Sequence, residues 1–274
     1  MYFLIFFVGF TNFSYRSISN CVHQMEREGS DRKHYFISIH LRDQKRSTYD
    51  KNGRKKCIFT ISALNNFGLV STLHESIINN SAETDCFVWF LGDNPSPSDK
   101  EAALAIEEIR AKTSAKKNFL FVTLADMEKS LDNFSFQRIA FSYDLVEFQT
   151  TIKPFAFQFM FSVLDVDSAI FLDNDIWVNS PLVEVWDHLT KRSVVVTPHY
   201  SSPVPEDGKL QTDRIILMAG VFNFGFVALS SSPTSTKFLE WWGERLSLYG
   251  FVDLESRTGG CLFLYSLTTK TTLL

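Results

Sequence analysis

The sequence has few cysteines, and their placement excludes two classes of protein. Its four cysteines, Cys21, Cys57, Cys86 and Cys261, lie far apart, form no C-x-x-C pair and have no histidine nearby at zinc-ligand spacing. This usage argues against a disulfide framework and against a zinc site. We therefore expect reduced, mostly buried thiols in a protein of a reducing, cytoplasmic compartment.

A long apolar run is also missing. The N-terminal segment MYFLIFFVGF is apolar but ten residues long, about half of what crosses a bilayer. It lacks the basic residues that open a signal peptide, and no small-residue cleavage site follows it cleanly. We expect a cytoplasmic protein, and leave open a peripheral association with a membrane.

The chain has no overall basic excess, since its net charge is −4. Residues 1–56 carry 11 Lys/Arg and 5 Asp/Glu, a net charge of +6, whereas the remaining 218 residues carry 16 and 26, a net charge of −10. An acidic main body argues against nucleic-acid binding. Residues 1–54 show no sustained period of 2 or 3.6, so we predict that they form an atypical, poorly ordered extension.

What the sequence does contain is an alternation of apolar strands and helical segments from Cys57 onward. The patterns predict helices at 65–81, 98–112 and 150–164, the second opened by a capping box from Ser98 to Glu101. They predict strands at 57–63, 86–93, 118–124, 169–172 and 193–199. Continuous apolar strands alternating with helices are typical of an α/β protein with a mostly parallel central sheet and helices on both faces.

Two aspartates one residue apart follow the fourth of these strands, in AIFLDNDIWVNSPL (169–182). Asp173 and Asp175 would share one side of an extended backbone, and Ile176–Val178 would resume the strand. The carboxyl edge of an open α/β sheet is where ligands bind. Paired hard oxygen donors suit Mg²⁺ or Mn²⁺. The alternative is a solvated loop with two surface aspartates.

Four further segments occur with this motif in a fixed order: 143–155, 194–200, 220–229 and 238–246. Together they resemble bacterial GT-A glycosyltransferases, distantly similar to glycosyltransferase family 8, over about residues 57–253. The resemblance implies the nucleotide-diphospho-sugar transferase fold, in a domain that we place at 55–253. It also implies transfer of a sugar from a nucleotide-diphosphate sugar to an acceptor hydroxyl, with Mn²⁺ or Mg²⁺ on the diphosphate.

Carried over by position, the resemblance makes Asp173 and Asp175 the metal ligands. The positions that it implies for nucleotide binding precede or lie within the D-x-D segment: Thr60, Ile61, Ser62, Lys153 and Asn174.

The F-N-F-G segment matches a turn that lines the donor sugar in enzymes of this family, and the resemblance thereby implies Asn223 and Gly225 for the donor sugar. Glycine lets a backbone approach a ligand closely, and asparagine offers a donor and an acceptor to hydroxyls. The alternative is a tight turn between two strands. His199, at the end of a strand, is a candidate for the acceptor or metal side, or else a structural histidine. No residue stands out as a catalytic base or nucleophile.

Residues 254–274 depart from the family pattern, and no histidine follows His199. We expect an atypical, truncated tail, which leaves two other functions open. One is an inactive GT-A protein that binds nucleotide sugar or glycan. The other is a Mg²⁺-dependent phosphatase of the haloacid-dehalogenase type, although Trp177 stands where that motif has Thr or Val. The sugar, the nucleotide, the acceptor (glycan, lipid or protein) and the stereochemistry stay open.

Overall fold

The computed structural model describes residues 6–7, 55–96, 98–130, 135–200, 202–205, 207–208, 212–214, 216 and 221–250. Seven strands form one sheet in the order β1-β6-β7-β5-β2-β3-β4. Their bounds are β1 Phe6–Phe7, β2 Lys56–Ser62, β3 Cys86–Leu91, β4 Phe119–Val122, β5 Ser168–Leu172, β6 Val194–Pro198 and β7 Phe222–Ser230.

Eight α-helices of at least five residues connect or follow the strands of the described chain, and a 3-10 turn at Leu64–Asn66 follows β2. In chain order they are α1 Phe67–Asn80, α2 Lys100–Ser114, α3 Leu124–Glu128, α4 Gln137–Ser142, α5 Leu145–Thr151, α6 Lys153–Ser162, α7 Val183–Leu189 and α8 Pro233–Tyr249. None of these helices combines the length and the apolar character needed to cross a bilayer.

Most strands run in one direction. Strand β2 pairs in parallel with β3 and with β5, and β3 pairs in parallel with β4. Strand β7 is antiparallel to both β5 and β6, so β6 runs in the same direction as β5, while β1 is antiparallel to β6. The carboxyl ends of β2, β5 and β6 therefore lie at one edge of the sheet, together with the first residues of β7.

Helices cover both faces of this sheet, which confirms the predicted α/β class. Side chains on one face of the sheet, such as Phe59, pack with α6 and α8, whereas those on the opposite face, such as Ile58, pack with α1 and α7. The ring of Phe59 lies 4.7 Å from that of Phe157 in α6 and 5.4 Å from that of Phe171 in β5. Continuous apolar strands are thus explained by burial on both faces.

The expectation of free thiols is wrong for two cysteines. Cys57 and Cys86 stand opposite each other in the β2–β3 pairing, with Cα atoms 4.8 Å apart, and form a disulfide. The register between strands 29 residues apart brings them together, and cysteine spacing alone does not reveal that register. The inference of a reducing compartment therefore no longer rests on this pair. Cys21 and Cys261 lie outside the described residues.

The predicted capping box of α2 is also corrected. Asp99, not Ser98, is the N-cap, and its carboxylate accepts a hydrogen bond from the Ala102 N–H at 3.0 Å. The Ser98 hydroxyl lies 2.8 Å from that of Ser96 instead. A carboxylate beside a candidate serine is an equally good N-cap, so the pattern alone did not separate the two.

The domain boundaries stay a prediction. Of the predicted extension, residues 1–54, only 6–7 belong to the described chain, and the predicted tail, residues 254–274, lies outside it.

Candidate functional site

The D-x-D motif begins where the chain leaves the sheet. Strand β5 ends at Leu172, and the Asp173 N–H donates to the Gly225 carbonyl of β7 at 2.9 Å. A turn follows, in which the Ile176 N–H donates to the Asp173 carbonyl at 3.2 Å. Asp173 is half-buried, and Asp175 is exposed. The prediction that Ile176–Val178 resume the strand is wrong, because this segment runs as irregular chain whose polar backbone is bound by side chains of α1.

Asn223 and Gly225 lie inside β7, so the turn predicted for F-N-F-G, both as a donor-sugar turn and as a tight turn between two strands, is wrong. The Gly225 N–H donates to Asn223 Oδ1 at 2.8 Å. A Cβ atom on Gly225 would lie 2.8 Å from Asp173 Oδ2 and 3.0 Å from Asn223 Oδ1. Glycine at this position therefore makes room for the Asp173 carboxylate beside the strand.

Lys153 joins three elements at this edge. It opens α6 and is 8% exposed. Its Nζ donates to the Phe224 carbonyl of β7 at 3.1 Å and lies 3.7 Å from Asp173 Oδ1. The same atom lies 4.3 Å from the centre of the Phe171 ring, a distance typical of a cation–π contact. The basic residue expected near the nucleotide is thus in contact with the first aspartate of the motif.

The charges around Asp173 act on it in opposite directions. Burial raises the pKa of the Asp173 carboxyl, the Lys153 ammonium lowers it, and the Asp175 carboxylate raises it. The Asp173 carboxylate is thus placed between a cationic and an anionic neighbour.

The donor set fits Mg²⁺ or Mn²⁺, which bind through one or two carboxylates and complete their shell with water and phosphate. A protein-only cage is not seen here, since no group of three or more His, Cys, Asp or Glu converges within the described part of the chain.

The residues implied for the nucleoside do not share one side of the sheet. Thr60, Ile61 and Ser62 are all buried in β2. Ile61 packs in the cluster that contains Phe59 and α6, so alternation directs Thr60 and Ser62 to the opposite face. Their hydroxyls have no hydrogen-bond partner among the described residues, and the same holds for Asn174 Nδ2.

His199 is exposed and lies just after β6, where its N–H donates to the Val221 carbonyl at 2.8 Å. This bond places it at the same sheet edge as the start of β7. Trp242 of α8 is fully buried, and its ring centre lies 5.5 Å from that of Phe224. Packing of α8 therefore supports the F-N-F-G strand from the side of the core.

A cavity of about 410 Å³ lies beside α4 and α5, and none of the predicted site residues lines it. It is lined by Asn94, Gln137, Ala140, Phe141, Tyr143, Asp144, Leu145 and Phe148.

Sequence reasoning missed the polar residues that hold the chain after the aspartates. Ser76 and Asn80 of α1 bind the backbone of Val178, and Glu83 binds that of Leu182. The partners are about a hundred residues apart, so no local pattern announces them. The sequence signal that could have indicated these contacts was the presence of a serine and an asparagine in a helix with apolar periodicity.

No protein-family model matches the chain, and no curated protein sequence matches it. Similar solved structures include the WbbM bifunctional glycosyltransferase in its apo form, with 14% identity, a TM-score of 0.42 and coverage of 73% of this chain and 35% of that one. Another is the galactosyltransferase LgtC in complex with donor and acceptor sugar analogues, with 15% identity, a TM-score of 0.36 and coverage of 68% and 59%. A third is the glycosyltransferase GlyE of Streptococcus pneumoniae, with 11% identity, a TM-score of 0.41 and coverage of 78% and 43%. The chain thus spans between about a third and three fifths of the length of these structures.

Proposed function

We propose that this chain is a metal-dependent glycosyltransferase of GT-A type, distantly similar to family 8, that moves a sugar from a nucleotide-diphosphate sugar to an acceptor hydroxyl. The observation that carries the proposal is the meeting of the D-x-D exit with the F-N-F-G strand. Asp173 lies against Gly225, Asn223 accepts the Gly225 N–H, and Lys153 contacts both Asp173 and the Phe224 carbonyl of the same strand.

Asp173 and Asp175 are the residues that would hold Mn²⁺ or Mg²⁺. When bound, such an ion neutralises the diphosphate and so stabilises it as a leaving group. Lys153 favours the ionised form of Asp173, against the effect of burial, and fixes the start of β7 through the Phe224 carbonyl. Its buried position beside Asp173 also puts a fixed positive charge close to the proposed diphosphate site.

Asn223 is assigned to the donor sugar through its Nδ2 group. Its Oδ1 atom accepts from the Gly225 N–H, and its amide nitrogen can donate to a sugar hydroxyl.

The nucleotide is assigned to Lys153 and Asn174, near the D-x-D exit, and to the carboxyl end of β2 at Thr60, Ile61 and Ser62, although the side chains of Thr60 and Ser62 lie on the face of the sheet opposite Lys153. Buried polar atoms of Thr60, Ser62 and Asn174 have no partner within the described chain, and such atoms are ones that water or a ligand satisfies. His199 is assigned to the acceptor or metal side, because it lies at the same sheet edge.

The test is titration of nucleotide sugars with and without Mn²⁺ against Asp173→Ala and Asp175→Ala. We expect both variants to lose Mn²⁺-dependent binding while remaining folded, because both residues lie beyond the end of β5. Asp187→Ala, which removes an exposed carboxylate from α7, is the matched control. Unchanged binding in both D-x-D variants would return the pair to a solvated loop.

Product analysis separates the remaining alternatives. A transferase releases nucleoside diphosphate from the donor with Mn²⁺ present. An inactive binding protein retains the nucleotide sugar and releases neither product. A phosphatase of the haloacid-dehalogenase type releases inorganic phosphate.

A further inference from the structure

Helix α1 holds both polar backbone groups of Val178, three residues beyond Asp175. The Val178 N–H donates to Ser76 Oγ at 3.1 Å, and Asn80 Nδ2 donates to the Val178 carbonyl at 2.9 Å. Ser76 Oγ also donates to the Leu73 carbonyl at 2.7 Å, so its lone pairs are left to accept from Val178. One residue of an irregular segment is thereby fixed by two side chains of one helix.

The chain before and after Val178 is fixed as well. At the start, the Asp173 N–H is bound to the Gly225 carbonyl at 2.9 Å. At the end, the Leu182 N–H donates to Glu83 Oε1 at 2.8 Å. Asp175 therefore lies on a short segment between an attachment to β7 and an attachment to α1.

The hydrogen bond to Ser76 is shielded from water, and the one from Asn80 is partly shielded. Ser76 is 0% exposed and Val178 is 5% exposed. A buried N–H that loses its acceptor keeps its full desolvation cost, so the segment has a strong preference for this one position.

We propose that Ser76 and Asn80 are positioning residues that set the place of Asp175 relative to Asp173. This inference rests on the proposed function, because the attachment would serve to position the two carboxylates so that both can bind one metal ion. A rigid α1 then defines the separation of two ligands that an irregular segment alone would leave variable, in the manner of outer residues that orient metal ligands.

The test compares Asn80→Ala and Ser76→Ala with Asn79→Ala, a matched control that truncates the neighbouring, exposed asparagine of the same helix. Binding of Mn²⁺ alone is measured by water-proton relaxation, and the exchange of the Val178 amide by NMR, on the folded full chain. We expect Asn80→Ala to weaken Mn²⁺ binding about tenfold. We expect Ser76→Ala to weaken Mn²⁺ binding as well, and to speed exchange of the Val178 amide about tenfold. Asn79→Ala should change neither Mn²⁺ binding nor amide exchange.

The outcomes separate this inference from the proposed function. If the unaltered protein does not bind Mn²⁺, the proposed metal site fails and the positioning role fails with it. If the unaltered protein binds Mn²⁺ but Asn80→Ala and Ser76→Ala bind it as tightly, the metal site stands and the positioning role is overturned. Faster exchange of Val178 without weaker Mn²⁺ binding also overturns the positioning role, because the attachment would then serve the fold alone.

Discussion

At the scale of single residues, Gly225 shows how little space separates the strand from the carboxylate. A Cβ atom there would meet Asp173 Oδ2 at 2.8 Å and Asn223 Oδ1 at 3.0 Å. Both of the nearest atoms belong to polar side chains, Asp173 and Asn223, that we assign to the metal ion and to the donor sugar. A side chain at this position would therefore displace the site before it disturbed the sheet.

We predict that Gly225→Ala weakens Mn²⁺ binding about tenfold with little loss of stability, because the Asp173 carboxylate must move to admit the methyl group. The matched control is Gly68→Ala in α1, where nothing lies within 4 Å of the added Cβ. Metal titration and thermal unfolding of both variants check the prediction. Equal Mn²⁺ affinities in the two variants would contradict it.

A second residue-scale feature is the buried His74 of α1. It is 7% exposed, and its ring lies 4.8 Å from that of Phe119 and 5.3 Å from that of Phe87. Burial lowers the pKa of His74, Lys116 lowers it further, and a hydrogen bond with the Lys117 backbone partly opposes them. The folded state therefore resists protonation of this ring.

We predict that the free energy of unfolding falls as the pH drops below about 6.5, the pKa of an unfolded histidine. The unfolded chain binds the proton more readily, so stability is complete above that pH and is lost below it, by up to about 1.4 kcal/mol per pH unit. His74→Gln should remove this part of the pH dependence. Denaturant unfolding of both proteins between pH 5 and 8 checks the prediction, and identical slopes would refute it.

At the scale of elements, α2 and the start of α3 are joined by an ion pair. Arg110 lies 2.7 Å from Asp126, which also forms a reciprocal capping box with Thr123. Burial raises the pKa of Asp126, but the hydrogen bonds from Arg110 and Thr123 outweigh it and hold the pKa well below its ordinary value. The carboxylate therefore stabilises the fold in its ionised form.

We predict that Asp126→Asn lowers stability by about 1–2 kcal/mol at pH 7. Because the folded pKa is depressed, the contribution is present above about pH 4 and is lost as the pH falls further. Glu108→Gln, which removes an exposed pair with Lys112 on the same helix, should change stability little. Chemical unfolding at pH 7 and pH 3 checks the prediction, and a deficit that persists undiminished at pH 3 would contradict it.

The elements were largely predictable because local patterns define them. Apolar runs at 57–63 and 169–172 became β2 and β5, and most of the helix predicted at 150–164 became α6. The exit of β5 at Asp173 followed from the end of its apolar run. What failed depended on neighbours distant in sequence, namely the pairing of Cys57 with Cys86 and the path of Ile176–Val178. Strand register and the hydrogen bonds from distant side chains depend on tertiary structure, which a local sequence pattern does not specify.

The candidate site divides in the same way. The motif residues Asp173 and Gly225 were chosen from sequence, and the structure places them in contact. Thr60 and Ser62 were chosen with them, yet strand alternation directs these two side chains away from the face of Lys153. Three consecutive residues of a strand point to alternating faces of the sheet, so sequence position alone did not identify the side chains that face the ligand.

At the scale of the whole molecule, the described sheet has a protected centre and an edge at β4. Strand β2 pairs with β3 and β5, and β5 pairs with β2 and β7, whereas β4 pairs with β3 alone within the described chain. Amides with ladder partners on both sides open only with larger parts of the fold.

We predict that amide exchange is slowest in β2 and β5 and markedly faster in β4. Hydrogen exchange followed by mass spectrometry on the full chain measures the three strands together. Protection of β4 equal to that of β2 would contradict the sheet order or indicate a further partner for the edge.

The antiparallel strand β7 also has a consequence for the order of assembly. It is the last strand of the described chain, yet it inserts between β5 and β6 and supplies the Gly225 carbonyl and Asn223 to the site. On the ribosome, β5 and the D-x-D segment emerge about fifty residues before the partner that completes them, at a few seconds' delay by typical synthesis rates. During that interval one side of β5 is an open edge, which invites pairing with other chains. The nascent protein therefore keeps this edge of β5 open until β7 arrives, and a stalled or shortened chain that ends before residue 221 would lack Asn223, Gly225 and the strand that protects β5.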